Sequence, residues 1–388
     1  MKLSTERILT THVGSLPRPP DLVELLGKQD RGEPVDRAAL RALAATAVGE
    51  AVRDQVEAGI DIVSDGEMSK MSYHVYAKHR LAGLGNTEGS GVPGRSLPRD
   101  VQDFPEMAAE SHLGGGGPEL LQSAVCVGPV AYADPAPLER DIANLDAAVA
   151  ASRSVEAFMN SVSPGCLATY VPNAYYPSRD AYREALIEAI RPEYEAIHKA
   201  GFVLQLDCPD LAGSRHTDFQ DMSDEEFLAD AEKSIEALNA ATAGIPPEAM
   251  RLHICWLNYA GPHTHDIPVE RLIGLLAKAR PQALLFEGAN SRHEHEWEVW
   301  KAARIPDDKV LVPGVIDSTS KFVEHPVLVA QRICRYADIV GRERVLAGVD
   351  CGFGTYAGRA GVYPSVVKAK LAALAEGAGI ATQRLWAS

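Results

Sequence analysis

Residues 251–257 read RLHICWL and residues 345–351 read VLAGVDC. Each is a short apolar run that ends among metal-seeking side chains. Six further runs of the same kind are spread along the chain: ILTTHVG (8–14), DIVSDGE (61–67), VEAFMNSV (155–162), FVLQLDC (202–208), ALLFEGA (283–289) and VLVPGVID (310–317). Runs of this length and apolarity read as buried strands. Helical spacing fills the intervals at Arg37 to Ala58, Asp180 to Ala200, Asp224 to Ala241, Val269 to Ala279 and Pro326 to Val340. Strand and helix in alternation predict βα units and a parallel sheet. Eight strands, each followed by a right-handed crossover, predict an α/β fold in the form of a single (β/α)8 TIM barrel over residues 1–388.

One stretch breaks the rhythm. Gly and Pro concentrate in 82–135, as GLGNTEGSGVPG and then LGGGGPE, before the apolar run SAVCVGPVAY. A long stretch without regular spacing reads as a lid or hairpin insertion after the second strand unit, with 123–131 as an extra strand near the barrel mouth. A rival register counts 123–131 among the barrel strands and demotes another run.

The 388 residues carry 38 Lys+Arg against 53 Asp+Glu, a formal charge of −15, and 46% are apolar. With no run of Lys or Arg, this balance argues against a nucleic-acid groove or an anionic membrane surface, both of which need a concentrated positive field. No stretch approaches the roughly 18 apolar residues of a membrane span, and MKLSTERILTTHVG lacks the apolar core of a signal peptide. A cytoplasmic protein with a small-molecule partner is expected, and a homo-oligomer is compatible with the composition. Six cysteines in a chain of this length are too sparse for a disulfide scaffold, so they are expected as thiols, some of them ligands.

The polar residues collect at the C-terminal ends of the predicted strands: Gly14-Ser15, Asp65 and Glu67, Asp207-Cys208, His253 and Cys255, Glu287, Asp317, and Asp350-Cys351. In a closed barrel these ends converge on one mouth. His253 and Cys255, two apart on a strand, face the same way. Adding Glu287 and Cys351 gives two thiolates, an imidazole and a carboxylate, a donor set suited to tetrahedral Zn²⁺. A buried cysteine alone reads as a small hydrophobe; four donors at strand ends favour a metal. His263, His265, His293 and His295 form two HxH pairs in loop context, where solvated polar residues are the plainer reading and substrate contact the alternative. In TTHVGS, His12, Gly14 and Ser15 offer a close backbone approach to a ligand. GVDCGFGTYAG does not open a βαβ unit, and neither a P-loop nor a GxSxG elbow is present.

Several of these pieces carry a family resemblance. ILTTHVGSLPRP, GIDIVSDGE, GFVLQLDCPDL, HIC, LLFEGANSR, VPGVIDSTS and VLAGVDCGFGT resemble the catalytic barrel of cobalamin-independent methionine synthase and its short relatives, which include epoxyalkane:coenzyme M transferase. The resemblance implies zinc ligands at His253, Cys255, Glu287 and Cys351. It implies a site for the amino-acid end of a thiol at the Gly14-Ser15 turn, Glu67 and Asp207. Two departures stand out. The family's proton-donating His after the GVxD segment is replaced by Asp317-Ser318-Thr319, and the acidic residue after the Asp of its DEP segment is Cys208 here.

Together these features predict a zinc-dependent transferase that joins a small-molecule thiol to an electrophilic alkyl donor, with Asp317 or Asp207 positioning groups at the reacting centre. S-methylation of homocysteine and epoxide opening by coenzyme M are the competing reactions. A sulfonate-bearing thiol would call for cations, with Lys70 and Lys321 as candidates against a reading of both as solvated surface lysines. The rival classes are a metal-free decarboxylase-type barrel, for which Arg18 and Arg292 are too few cations, and a zinc hydrolase, which would favour His and carboxylate over two thiolates.

Overall fold

A computed structural model describes residues 1–86, 96–107, 124–359 and 361–387. In chain order the strands are β1 Leu9–Thr10, β2 Ile62–Val63, β3 Leu81–Asn86, β4 Ala124–Tyr132, β5 Glu156–Val162, β6 Val203–Asp207, β7 Met250–His253, β8 Ala283–Phe286, β9 Val310–Pro313 and β10 Leu346–Ala347. Each of the eight apolar runs therefore contains a strand. The fold is α/β, built on a parallel sheet in the order β2-β5-β6-β7-β8-β9, with β1 and β10 paired in parallel beside it. Single-residue parallel bridges, Thr11 with Ile62, Leu311 with Val345 and Gly314 with Gly348, join the two pieces at both edges.

Burial on both faces explains why these strands read as continuous apolar runs. One face meets the helices. The other encloses a separate apolar cluster that includes Leu9, Ile62, Phe158, Val203, Leu285, Val312 and Leu346. β7 contributes Arg251 to this interior, its guanidinium 3.4 Å from the centre of the Phe158 ring. Arg251 donates to Gln205 Oε1, Thr11 Oγ1 and the His12 carbonyl at 2.7, 2.9 and 2.7 Å, so a polar layer lies above the apolar floor.

The expected helices are present, and their ends follow from local chemistry. In Arg37–Glu57 the Asp36 carboxylate accepts from the Ala38 and Ala39 N–H groups, and Leu40, Ala44, Ala47, Val48 and Ala51 line the buried face. Asp224–Ala241 starts with a reciprocal capping box between Ser223 and Glu226. Helices at Pro20–Asp30, Ala136–Ala150 and Pro364–Trp386 were not among the expected ones. Among the described residues no helix is long and apolar enough to cross a membrane.

Within the stretch expected as an insertion, β3 and β4 form an antiparallel pair. The strand Ala124–Tyr132 thus lies outside the six-stranded parallel sheet. The pair is irregular between Ala82 and Leu84. Gly83 there has φ +81°, and a Cβ on it would stand 2.5 Å from the Pro129 carbonyl oxygen, so a side chain does not fit. Most of the two Gly-rich stretches, residues 87–95 and 108–123, lies outside the described residues.

Just before β3, Arg80 forms a buried two-pronged pair with Glu193 at 2.5 and 2.9 Å. Both side chains are 2% exposed, and Ser161 of β5 donates a third bond to the same carboxylate at 2.6 Å. Further along, Asp100 accepts from the Tyr259 hydroxyl, the His263 and Thr264 N–H groups and the Thr264 hydroxyl. One carboxylate thereby clips the segment at 98–104 to the loop that follows β7.

Candidate metal centre

β6 and β7 pair with Asp207 opposite His253. This register places the two side chains together on the interior face, and Asp207 Oδ1 lies 3.2 Å from His253 Nδ1. A carboxylate at Nδ1 fixes the ring so that Nε2 points away from it. Two residues on, past the end of β7, the Cys255 Sγ stands 3.4 Å from the Cys351 Sγ, which β10 delivers from 96 residues away. The His253 nitrogen and the two sulfurs all lie within 4.8 Å of one another. His253 Nε2 is buried and has no hydrogen-bond partner. An orphaned imidazole nitrogen facing two crowded sulfurs is a donor set that fits a thiophilic divalent cation.

The electrostatics agree with that fit. The hydrogen bond from the Cys255 thiol, with His253 beside it, pushes Cys351 down to about 5, whereas that same bond and burial drive Cys255 well above its usual range. Burial opposes the charge on His253, but Asp207 and Cys351 hold its pKa up to about 10. Protons occupy a cluster of electron-rich donors that a cation would share instead.

Glu287, expected as the fourth ligand, is outside this three-residue group. Its Oε1 accepts from the Trp256 N–H at 2.9 Å and its Oε2 from the Asn290 amide at 2.8 Å. Burial raises its pKa to about 8. Two of the four HxH residues differ from the solvated reading. His263 and His293 are buried rather than solvated, and both share Asp266 Oδ2, at 3.0 and 3.1 Å. His293 turns its other nitrogen to Glu296 at 2.8 Å, which leaves neither ring a free nitrogen. His265 pairs with Asp103, while His295 is exposed.

Three of the residues expected at the substrate end, Gly14, Asp207 and Lys70, meet Asn160, which the sequence reading passed over. Its amide donates to the Val13 carbonyl and to Asp207 Oδ2, each at 2.9 Å, and its backbone carbonyl accepts from Lys70 at 3.3 Å. Its Oδ1 is buried without a partner. Gly14, at φ +135°, packs so closely that a Cβ would fall 2.2 Å from that oxygen. Ser15 adjoins the Cys351 loop, its carbonyl accepting from the Phe353 N–H at 2.9 Å. The only hint in the sequence was an Asn within an apolar strand run. His12 has both ring nitrogens engaged, with Gln55 at 2.7 Å and the Gly14 N–H at 3.2 Å, and burial lowers its pKa to about 3.

Lys70 is buried, which corrects its reading as a solvated lysine; Lys321 is exposed, over the Tyr363 ring. Burial opposes the Lys70 charge, but Asp65 and Glu67 hold its pKa above the usual value. Asp317 is half-buried. Its Oδ1 accepts from the Thr319 N–H and hydroxyl, and its charge adds to the rise of Asp350, whose pKa burial lifts to about 6.

Glu67, at φ +56°, meets Arg18 at 3.4 Å. Burial outweighs the Lys70 and Arg18 charges and raises its pKa from 4.5 to about 7. A carboxyl raised in the folded state contributes stability that is fully present below its unfolded value and lost as pH rises through its folded value. Glu67→Gln is therefore expected to be more stable than the parent at pH 8 by up to about 3 kcal/mol, with the difference fading below about pH 5. Urea unfolding at the two pH values checks this, and a deficit in the variant at pH 8 would refute it.

No protein-family profile matches the chain. A methionine synthase of Sulfolobus acidocaldarius is 23% identical over 346 residues, covering 88% of this chain and 85% of its own. The methionine synthase of Saccharolobus solfataricus is 24% identical over 348 residues, covering 88% and 87%. Among solved structures, a B12-independent methionine synthase from Shewanella sp. W3-18-1, in complex with selenomethionine, superposes with a TM-score of 0.74 at 21% identity, over 98% of this chain and 100% of its own. The chain thus has relatives named methionine synthase along most of its length and shares the fold of a B12-independent member.

Proposed function

We propose that this protein is a zinc-dependent thiol methyltransferase of the methionine synthase type, acting on homocysteine or a similar small thiol. The observation that carries the reading is the meeting of a His253 ring nitrogen with the Cys255 and Cys351 sulfurs, all three residues buried and the atoms within 4.8 Å of one another. These three residues would hold the ion, with Glu287 next to them as the candidate fourth donor. When bound, zinc supplies Lewis acidity that lowers the pKa of a substrate thiol, so that the thiolate is available at neutral pH.

The chain's own residues supply orientation and exclusion of water. Asp207 holds the His253 ring in place and is itself held by Asn160 and Gln205. Glu67 and the free Asn160 Oδ1 are acceptors suited to an α-ammonium, and Lys70 is a cation for the opposite end. Asp317 would position groups at the reacting centre, and the 82–135 insertion would act as a lid that keeps water from competing. In the reaction the thiol loses its proton, a sulfur–carbon bond forms, and the donor's leaving group departs with the electron pair of the broken bond. The selenomethionine bound by the Shewanella enzyme, an amino-acid selenoether, supports an amino-acid thiol here. The reading also includes the closed (β/α)8 barrel: the edge bridges, added to the two ladders, support a ring of eight parallel strands.

Burial of Lys70 favours one second reading, an anionic thiol such as coenzyme M opening an epoxide. One experiment separates them. Zinc-loaded protein is given homocysteine with a methyl donor, either a methylfolate or a methylcorrinoid, or coenzyme M with an epoxide. Methionine formation is expected. Turnover of coenzyme M alone would establish the second reading, and failure of both thiols to perturb the spectrum of cobalt-substituted protein would overturn both.

A further inference from the structure

The two sulfurs are served by two backbone N–H groups. That of Leu257 faces Cys255, and that of Gly352 faces Cys351. One side chain joins the two segments that carry these groups. Asn258 follows Leu257 directly, and its Nδ2 donates to the Gly352 carbonyl at 2.5 Å and to Thr355 Oγ1 at 3.0 Å. Its Oδ1 accepts from the Ser318 hydroxyl at 2.9 Å. Both amide hydrogens and the amide oxygen are thus in use. A single carboxamide ties together the loops that leave β7, β9 and β10, two of which carry the cysteines.

We infer that Asn258 is a positioning residue that sets the Cys255 and Cys351 sulfurs at the spacing needed to grip one ion, by tying the residue after Leu257 to the Gly352 carbonyl and so holding together the two loops whose Leu257 and Gly352 N–H groups face those sulfurs. The inference rests on the metal reading of the site. Leu257 lies at φ +77°, a backbone conformation that a residue with a Cβ rarely holds unaided, and an anchor at the next residue helps to keep its N–H aimed. No other uncharged side chain of the same length offers two donors and an acceptor here. Asp in its place would set a carboxylate against the Gly352 carbonyl. Neighbouring bonds add to the demand for precision: Gly352 is pressed by Ser15, whose Oγ would stand 1.9 Å from a Cβ at that position.

Zinc affinity is the direct test, measured by chelator competition on the full chain, with the thiolate-to-cobalt charge-transfer band of the cobalt form and the melting temperature of the metal-free form as companions. Asn258→Ala is expected to weaken zinc binding by about 10- to 100-fold, the usual scale for outer partners of metal ligands, and to shift the cobalt band. Asn258→Asp is expected to weaken it at least as much. Ser318→Ala and Thr355→Val each remove one of the three bonds and are expected to cost about 3-fold; they keep the test open should the Asn258 variants not fold. Unchanged affinity and an unchanged cobalt band in all folded variants would overturn the positioning role, even if the melting temperature falls. Absence of stoichiometric zinc binding by the parent would instead sink the underlying metal reading.

Discussion

Cys351→Ser is expected to lower zinc affinity by more than about 100-fold, because loss of a ligand should exceed the 10- to 100-fold cost of losing an outer partner. Thiol methylation should fall with it by at least the same factor. Cys255→Ser is expected to behave alike, since the sulfurs stand 3.4 Å apart and both are buried. The double variant should lose little more than either single one, as residues that act as a unit are not additive. Equilibrium dialysis against zinc and a methionine-forming assay measure both. A Cys351→Ser protein that keeps about one equivalent of zinc would exclude the His253–Cys255–Cys351 set.

The second large effect concerns stability and lies away from the sulfurs. Glu193→Ala is expected to destabilise the fold by about 3–5 kcal/mol, because it leaves the Arg80 guanidinium buried without its counter-charge. Arg80 would retain its bond to the Tyr76 carbonyl, at 2.7 Å, and its place 4.1 Å over the Tyr76 ring, neither of which supplies a full counter-charge. The paired replacement Arg80→Met with Glu193→Leu is expected to recover most of that loss, since it removes both buried charges together. Denaturant unfolding of the three proteins decides the matter. A Glu193→Ala cost within about 0.5 kcal/mol would place the pair among those worth nothing measurable.

Much of the architecture was legible because buried parallel strands write themselves as uninterrupted apolar runs, and all eight runs contain a strand. Their lengths were not legible: β1, β2 and β10 are two residues each, since hydrogen bonding stops well before apolarity does. His253 and Cys255 could be paired from two-residue strand periodicity, and strand-end placement added Cys351. Glu287 looked equivalent on the same grounds, yet its oxygens are engaged by Trp256 and Asn290, contacts between loops that no spacing encodes. Asn160, Asn258 and the Arg80–Glu193 pair went unread for a related reason. Each earns its role from partners 32 to 147 residues away, as Ser161 to Glu193 and Asn160 to Val13 illustrate. Lys70 looked like a surface residue because a lone lysine in a polar stretch gives no sign of what covers it.

The pairing of β1 with β10 sets an order of events for a growing chain. Leu9 meets Leu346, Ser4 donates to the Val345 carbonyl, and the Ile8 N–H reaches Thr382. The seam between the first and last strands therefore waits for nearly the whole polypeptide, the slow kind of contact in folding. Cys351 follows the strand that forms this seam by four residues. A nascent chain can present His253 and Cys255 early, but Cys351 joins them only as the seam closes, so a site built on the three residues would form only once the fold is finished.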